Sequence, residues 1–173
     1  DGYNIYLEKF PEMAKIPTFG GMKDGTFDIE QAVALKPDVI IMNTEAKSAT
    51  EESGYIGKLA KVGIPLVYID FREKPMQHTE PSMRLMGRIL GREQVAEDFV
   101  AFRAAAIARV TATLAKAQPK RPVVFMERAG GYSDDCCMSF GNENFGRMVE
   151  LAGGTNLAKA IIPGTFGTVN PEQ

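Results

Sequence analysis

Several side chains carry chemistry by type and spacing. Asp134 and Asp135 supply the two carboxyl groups that a hydrolase uses as acid and base. Adjacent residues on an extended segment point to opposite faces, so this pair cannot readily flank one bond. Cys136 and Cys137 are the only two thiols of the chain. Redox centres favour two residues between their cysteines and a helix N-terminus that lowers the thiol pKa, so the adjacent pair leaves a vicinal disulfide or two free thiols as the alternatives. The single His, His78, lies in a polar stretch and reads as a surface residue. With two adjacent Cys it cannot assemble the three or four ligands of a structural zinc module. Arg72 and Arg128 each follow an apolar run, one in each expected lobe, and a guanidinium grips anionic oxygen pairs bidentately from either side of a cleft. The phosphate-binding loop, the dinucleotide fingerprint and the nucleophile elbow are missing. Gly131-Tyr132-Ser133-Asp134-Asp135 approaches the last but lacks its closing Gly.

The elements that must position these groups read as an α/β chain. Asp28 predicts an N-cap with Gln31 at the capping-box position, and Ile29, Val33 and Leu35 supply apolar contacts before Lys36-Pro37-Asp38 stops the helix. Val39 to Met42 predicts a fully buried strand. A helix around Tyr55 to Val62, a Gly63-Ile64-Pro65 turn and a strand from Leu66 to Ile69 repeat the unit, which implies parallel strands with helical crossovers. A helical section follows from Pro81 to about Ala117. Thr79 is its expected cap, Gly87 and Gly91 interrupt it, and Val95, Phe99, Phe102, Ala106, Val110 and Leu114 form its apolar stripe. Val123 to Met126 opens another strand, a polar Gly-rich loop covers Arg128 to Cys137, and a helix from Asn144 to Ala152 closes on Gly153-Gly154. Met83, Met86 and Met148 fall at helical spacing and read as core filler.

Of the 173 residues 45% are hydrophobic and 24% charged, which fits a globular domain rather than a disordered chain. A net charge of -2 provides no basic footprint for nucleic acid. No apolar run approaches the roughly 20 residues that span a bilayer. The chain opens on Asp1 with neither an initiator Met nor a leader, so any secretion signal is expected to lie before this numbering.

Two helix starts share one grammar, Asp28-Ile29-Glu30-Gln31 and Asn170-Pro171-Glu172-Gln173, and both follow a Gly-Thr-Phe sequence, at 25–27 and 164–166. Either two helices open alike by chance, or two similar lobes are joined by the long helical section. So few strands per lobe could not cover a parallel sheet, and the chain reads as an excised piece.

These residues resemble the helical-backbone (class III) periplasmic substrate-binding proteins of ABC importers, the receptors for ferric siderophores, haem and cobalamin. The likeness is carried by Phe27-Asp28-Ile29-Glu30 through Ala34-Leu35-Lys36-Pro37-Asp38-Val39-Ile40-Ile41, Gly63-Ile64-Pro65-Leu66-Val67, Met86-Gly87-Arg88-Ile89-Leu90-Gly91, Ala152-Gly153-Gly154-Thr155-Asn156-Leu157 and Val169-Asn170-Pro171-Glu172-Gln173. It implies two α/β lobes bridged by a long helix, a ligand between them and little hinge motion. The corresponding domains are an N-terminal lobe at 1–78 lacking its first strand, a bridging section at 79–118, and the start of a truncated C-terminal lobe at 119–173. It also implies a non-enzymatic protein without cofactor, periplasmic or lipid-anchored outside a Gram-positive cell, that delivers an iron(III) chelate to a permease. Haem, cobalamin or an oxyanion such as molybdate are the alternatives within the family. A hydrolase or a thiol redox protein is the alternative outside it.

Ligands of parallel α/β lobes gather at the carboxyl ends of strands. The expected contacts are Asn43 and Thr44, Arg72, and Arg128, Tyr132 and Asp134, and the resemblance implies Phe19 and Phe166 as aromatic walls. Glu30 and Glu172 match the family's paired acidic residues that dock on the permease. Receptors for bare zinc or manganese hold the ion with several His and carboxylates, which a lone His argues against.

Overall fold

The computed structural model describes residues 3–22, 25–128 and 137–170. The chain divides into two compact units, 1–68 and 69–173.

The first unit contains α1 (Tyr3–Lys9), a 3-10 turn at Pro11–Lys15, α2 (Ile29–Ala34), β1 (Ile40–Asn43), a second 3-10 turn at Thr44–Ala46, α3 (Lys47–Glu52) and α4 (Tyr55–Lys61). β2 (Leu66–Ile69) closes it and pairs with β1. As expected, Asp28 caps α2, its carboxylate accepting the Gln31 N–H at 3.0 Å. The buried residue of α2 is Ala32, whereas Leu35 is exposed, because Lys36 turns to a left-handed φ of 49° right after it. β1 is buried only at Ile40 and ends on an exposed Asn43, so it is less enclosed than its apolar run predicts. Phe27, Ala32, Ile40, Leu59 and Ile64 form the core, with Phe19 set edge-on to Phe27 at 5.8 Å. Thr50, fully buried, donates to the Ala46 and Lys47 carbonyls at 2.7 and 2.8 Å and accepts from the Tyr68 hydroxyl. α1 and α3 have no strong periodicity, so the sequence does not predict them.

The second unit opens with α5 (Pro75–Leu90) and α6 (Glu93–Ala117), about 24 and 37 Å long at 1.5 Å per residue. The expected cap at Thr79 lies more than a full turn past the observed one, Lys74. Pro75 takes the first helical position and Pro81 lies inside the helix, because the preceding loop is already ordered by Asp70 and delivers the chain to Pro75 in register. Gly87 does not interrupt α5. A Cβ there would stand 2.7 Å from the Ala96 Cβ, so Gly87 is the point of closest approach between α5 and α6. Gly91 does end the helix, at φ 62°, and the two helices fold back on each other. Arg84 of α5 holds Glu97 of α6 with Nε at 2.7 Å and Nη2 at 3.1 Å. The close approach selects the face with small side chains. Ala96 and Val100 are buried, whereas Val95, Phe99, Phe102 and Val110 of the expected stripe are exposed.

β3 (Val123–Val124), β4 (Met138–Phe140), α7 (Asn144–Leu151), β5 (Thr155–Asn156), a 3-10 turn at Leu157–Ala160 and β6 (Phe166–Thr168) complete the unit. β3 is shorter than the run to Met126 suggests. It pairs in parallel with β5, Val124 opposite Asn156, while β4 and β6 form an unforeseen antiparallel pair, Phe140 opposite Phe166. Buried Asn156 ties them together. Its amide nitrogen donates to the Phe140 and Gly141 carbonyls at 2.9 and 2.8 Å, and its oxygen accepts from the Ala158 N–H. Glu150 accepts the Asn156 N–H at 2.9 Å, which holds its carboxyl below the usual range against burial, with Lys159 and Arg121 adding to the effect.

The internal repeat needs realignment. Phe27 is buried directly before the cap Asp28, and Val169 is buried directly before Asn170, whereas Phe166 lies in β6 and is exposed. The counterpart of Gly25-Thr26-Phe27-Asp28 is therefore Gly167-Thr168-Val169-Asn170, three residues beyond the Gly-Thr-Phe first matched. Residues 171–173 lie outside the described residues.

Candidate ligand-binding site

The loop leaving β2 is held by side chains that bond its backbone. Asp70 is buried, and its Oδ1 accepts the N–H groups of Arg72 and Glu73, both at 2.8 Å. Its Oδ2 accepts the Lys74 N–H at 3.0 Å and the His78 Nδ1–H at 2.7 Å. Burial pushes the Asp70 carboxyl up, but the Arg72 N–H, His78 and the N–H groups of Lys74 and Glu73 together outweigh it and hold the carboxyl below its ordinary value. Ser82, also buried, accepts the Asp70 N–H at 2.9 Å. On the other side the Asn144 amide donates to the Arg72 carbonyl. Asn144 heads α7 at φ 53°, a left-handed conformation that Asn tolerates better than most residues. The Arg72 residue itself is exposed. His78 therefore serves as a hydrogen-bond donor to a buried carboxylate, with its side chain 46% exposed.

Arg128 and Phe166, predicted separately, meet. The guanidinium carbon stands 4.1 Å from the centre of the Phe166 ring, within the range of a cation–π contact. Backbone pairing brings them together, since the Arg128 N–H donates to the Met138 carbonyl at 2.8 Å and Phe140 of the same strand pairs with Phe166. Phe166 remains 43% exposed. Nearby in the sequence, buried Cys137 is disulfide-bonded. It also lines an apolar cavity of about 260 Å³ with Phe125, Leu157, Ile161 and Val169. Tyr132, Asp134 and Cys136, together with Glu172, lie outside the described residues.

In the first unit Asn43 ends β1, exposed, and Thr44 starts the following 3-10 turn, half-buried. Phe19 is packed on the core rather than standing free as a wall. Glu30 is exposed in the first turn of α2, a position the helix dipole favours for a carboxylate. Among the described residues no group of three or more His, Cys, Asp or Glu could hold a metal ion, and no helix is long and apolar enough to cross a membrane.

Sequence reasoning named the exposed loop residues and missed the groups that hold them, Asp70, Ser82 and Asn144. An Asp closing an apolar strand was the available signal for the first. Nothing local marks Ser82, whose partner is twelve residues away.

Parallel strands, a long helical pair and loops built at strand ends define an α/β solute-binding architecture of the helical-backbone class. The model of the family described as periplasmic binding protein matches residues 7–173, and the chain belongs to that family. Among solved structures it is similar to the TroA-like periplasmic binding protein FepB from Veillonella parvula, at 31% identity and a TM-score of 0.84, over 99% of this chain and 49% of that one. A possible iron-binding periplasmic solute-binding protein from Staphylococcus epidermidis shares the fold at 20% identity and a TM-score of 0.58, over 84% of this chain and 54% of that one. So does the Haemophilus influenzae molybdate periplasmic binding protein MolA, at 22% and 0.72, over 96% and 53%. The chain thus spans about half the length of these relatives. No curated protein matches it. Members of that family bind solutes for ABC importers.

Proposed function

We propose that the protein captures an anionic iron(III) chelate of the siderophore type outside the cytoplasm and presents it to the permease of an ABC importer. The observation that carries this reading is the Arg128 guanidinium seated on the exposed ring of Phe166, a cationic and aromatic surface suited to negatively charged, ring-bearing ligands. Arg72, on a loop fixed by Asp70, offers a second guanidinium in the same unit. Tyr132 and Asp134 complete the proposed contacts of this unit, and Asn43 and Thr44 are proposed as contacts within the first unit by itself, with Phe19 there as a packed support. Glu30 and Glu172 form the proposed acidic pair for the permease. The location is periplasmic, or lipid-anchored if the cell is Gram-positive.

Titration of the whole protein with iron(III) tris-catecholate, haemin, cobalamin and molybdate tests the reading. The chain has no Trp and five Tyr, so quenching is followed through tyrosine. The ferric chelate is expected to bind tightest, and Arg72→Ala and Arg128→Ala each to weaken it by about 2 kcal/mol, roughly thirtyfold. Tighter binding of haemin, cobalamin or molybdate would replace the ligand, and wild-type affinity in both variants would overturn the site.

A further inference from the structure

We infer that Asn144 is a positioning residue for Arg72, and that the loop at 70–74 is a preformed pedestal for that one guanidinium. This rests on the reading of Arg72 as a ligand contact. The loop has no regular secondary structure, yet side chains bond its backbone almost throughout. The N–H groups of Arg72, Glu73 and Lys74 go to Asp70, the Asp70 N–H goes to Ser82, and the Arg72 carbonyl goes to Asn144. His78 holds the second oxygen of Asp70, and Arg103 of α6 donates to the Pro75 carbonyl at 2.9 Å, fastening the helix that follows.

The partners come from three helices. Ser82 and His78 belong to α5, Arg103 to α6 and Asn144 to α7. Folding of the helices therefore shapes the loop. The peptide groups on either side of the Arg72 side chain are both gripped, one at its N–H by Asp70 and the other at its carbonyl by Asn144. A simple helix-capping role does not account for Asn144, whose amide reaches 72 residues back along the chain, and whose buried position is kept in a left-handed conformation to do so. Fixing the backbone on both sides of one exposed cation reduces the freedom lost when a ligand binds to it.

The test replaces Asn144 by Gly in the whole protein, because Gly accepts φ 53° and removes the side chain that carries the amide. Asn144→Gly is expected to weaken iron(III) tris-catecholate about tenfold when Arg72 is present and less than about twofold in an Arg72→Ala background. Amide exchange of Arg72, Glu73 and Lys74 is expected to accelerate at least about tenfold, while that of Ile64 in the first unit stays unchanged. Equal losses in both backgrounds, or unchanged exchange in the loop, would overturn the inference. If Asn144→Gly fails to fold, Asn144→Asp, which keeps the left-handed tolerance but turns the donor into an acceptor, is read by the same two measurements. If the wild type binds no ferric chelate, the functional reading fails, and loop exchange decides whether Asn144 orders the pedestal.

Discussion

Replacement of Asp70 is the most direct probe of how the structure holds the β2–α5 loop. In Asp70→Asn the retained oxygen still accepts from Arg72 and Glu73, but the new amide presents N–H groups to the Lys74 N–H and to His78, where Oδ2 accepted at 3.0 and 2.7 Å. One charge-assisted backbone bond is lost and a donor is set against a donor, a cost of about 1.5–3 kcal/mol for a buried carboxylate. Asp70→Ala also strands the Arg72 and Glu73 donors and is expected to cost about 3–5 kcal/mol, the upper part being offset by water reaching this half-buried loop. Because the folded-state pKa of Asp70 is depressed, its contribution is fully present above the unfolded value of about 3.9 and is lost as pH falls through the folded value. Urea unfolding of wild type and Asp70→Asn at a series of pH values measures both effects. The gap between them should narrow as pH falls below about 4. A gap under about 0.5 kcal/mol at pH 7, or one that widens below about pH 4, would refute the account.

Three further outcomes are expected. Charge reversal of Glu30 and Glu172 together in the whole protein should abolish uptake into cells while leaving ligand affinity intact, since a lone first-turn carboxylate is worth only about 0.3–1 kcal/mol to its helix; normal transport would remove both from the permease interface. With Cys137 disulfide-bonded and Cys136 the chain's other cysteine, thiol titration of the unfolded, unreduced protein should find no reactive thiol, and two per chain would contradict a vicinal bond. Gly146→Ala would press a Cβ into the Gly141 carbonyl oxygen and bring it within 2.6 Å of the Asn156 amide nitrogen, so thermal unfolding should show a loss above about 2 kcal/mol, whereas Gly57→Ala, in α4 with open space around it, should gain about 0.5–1 kcal/mol.

Local physics makes part of the fold legible in the sequence. Asp28 as cap, the strand from Leu66 to Ile69 and α7 closing on Gly153 are each decided within a few residues, and each lies where the residues predict. The features that mislead depend on distant partners. Gly87 reads as a helix breaker because its reason, the Ala96 side chain, lies on another helix. Thr79 reads as a cap because the Asp70 carboxylate that orders the true entry acts across a loop. The apolar stripe of α6 points to the larger side chains, but close packing favours Ala96 and Val100. Of the candidate site, the pairing of Arg128 with Phe166 is invisible in the sequence because it arises from the antiparallel β4–β6 pair, whose short strands carry no alternating pattern.

Several residues in the segments that carry the family resemblance work on the backbone. Asp28 caps a helix, Gly63, Gly91 and Gly153 supply left-handed turns at φ 75°, 62° and 89°, and Asn156 bonds two carbonyls and an N–H. The Asn156 side chain is buried, and that of Asp28 is bonded to its own helix. The exposed charge and aromatic surface sit elsewhere, at Arg72, Arg128 and Phe166. Such a division lets one scaffold serve relatives named for iron and for molybdate, because loops can change charge and shape without disturbing the caps and turns beneath them. It follows that exchanging the loop side chains should alter ligand preference with little effect on stability. Exchanging Asp28, Asn156 or Asp70 should do the reverse, lowering stability before it alters preference.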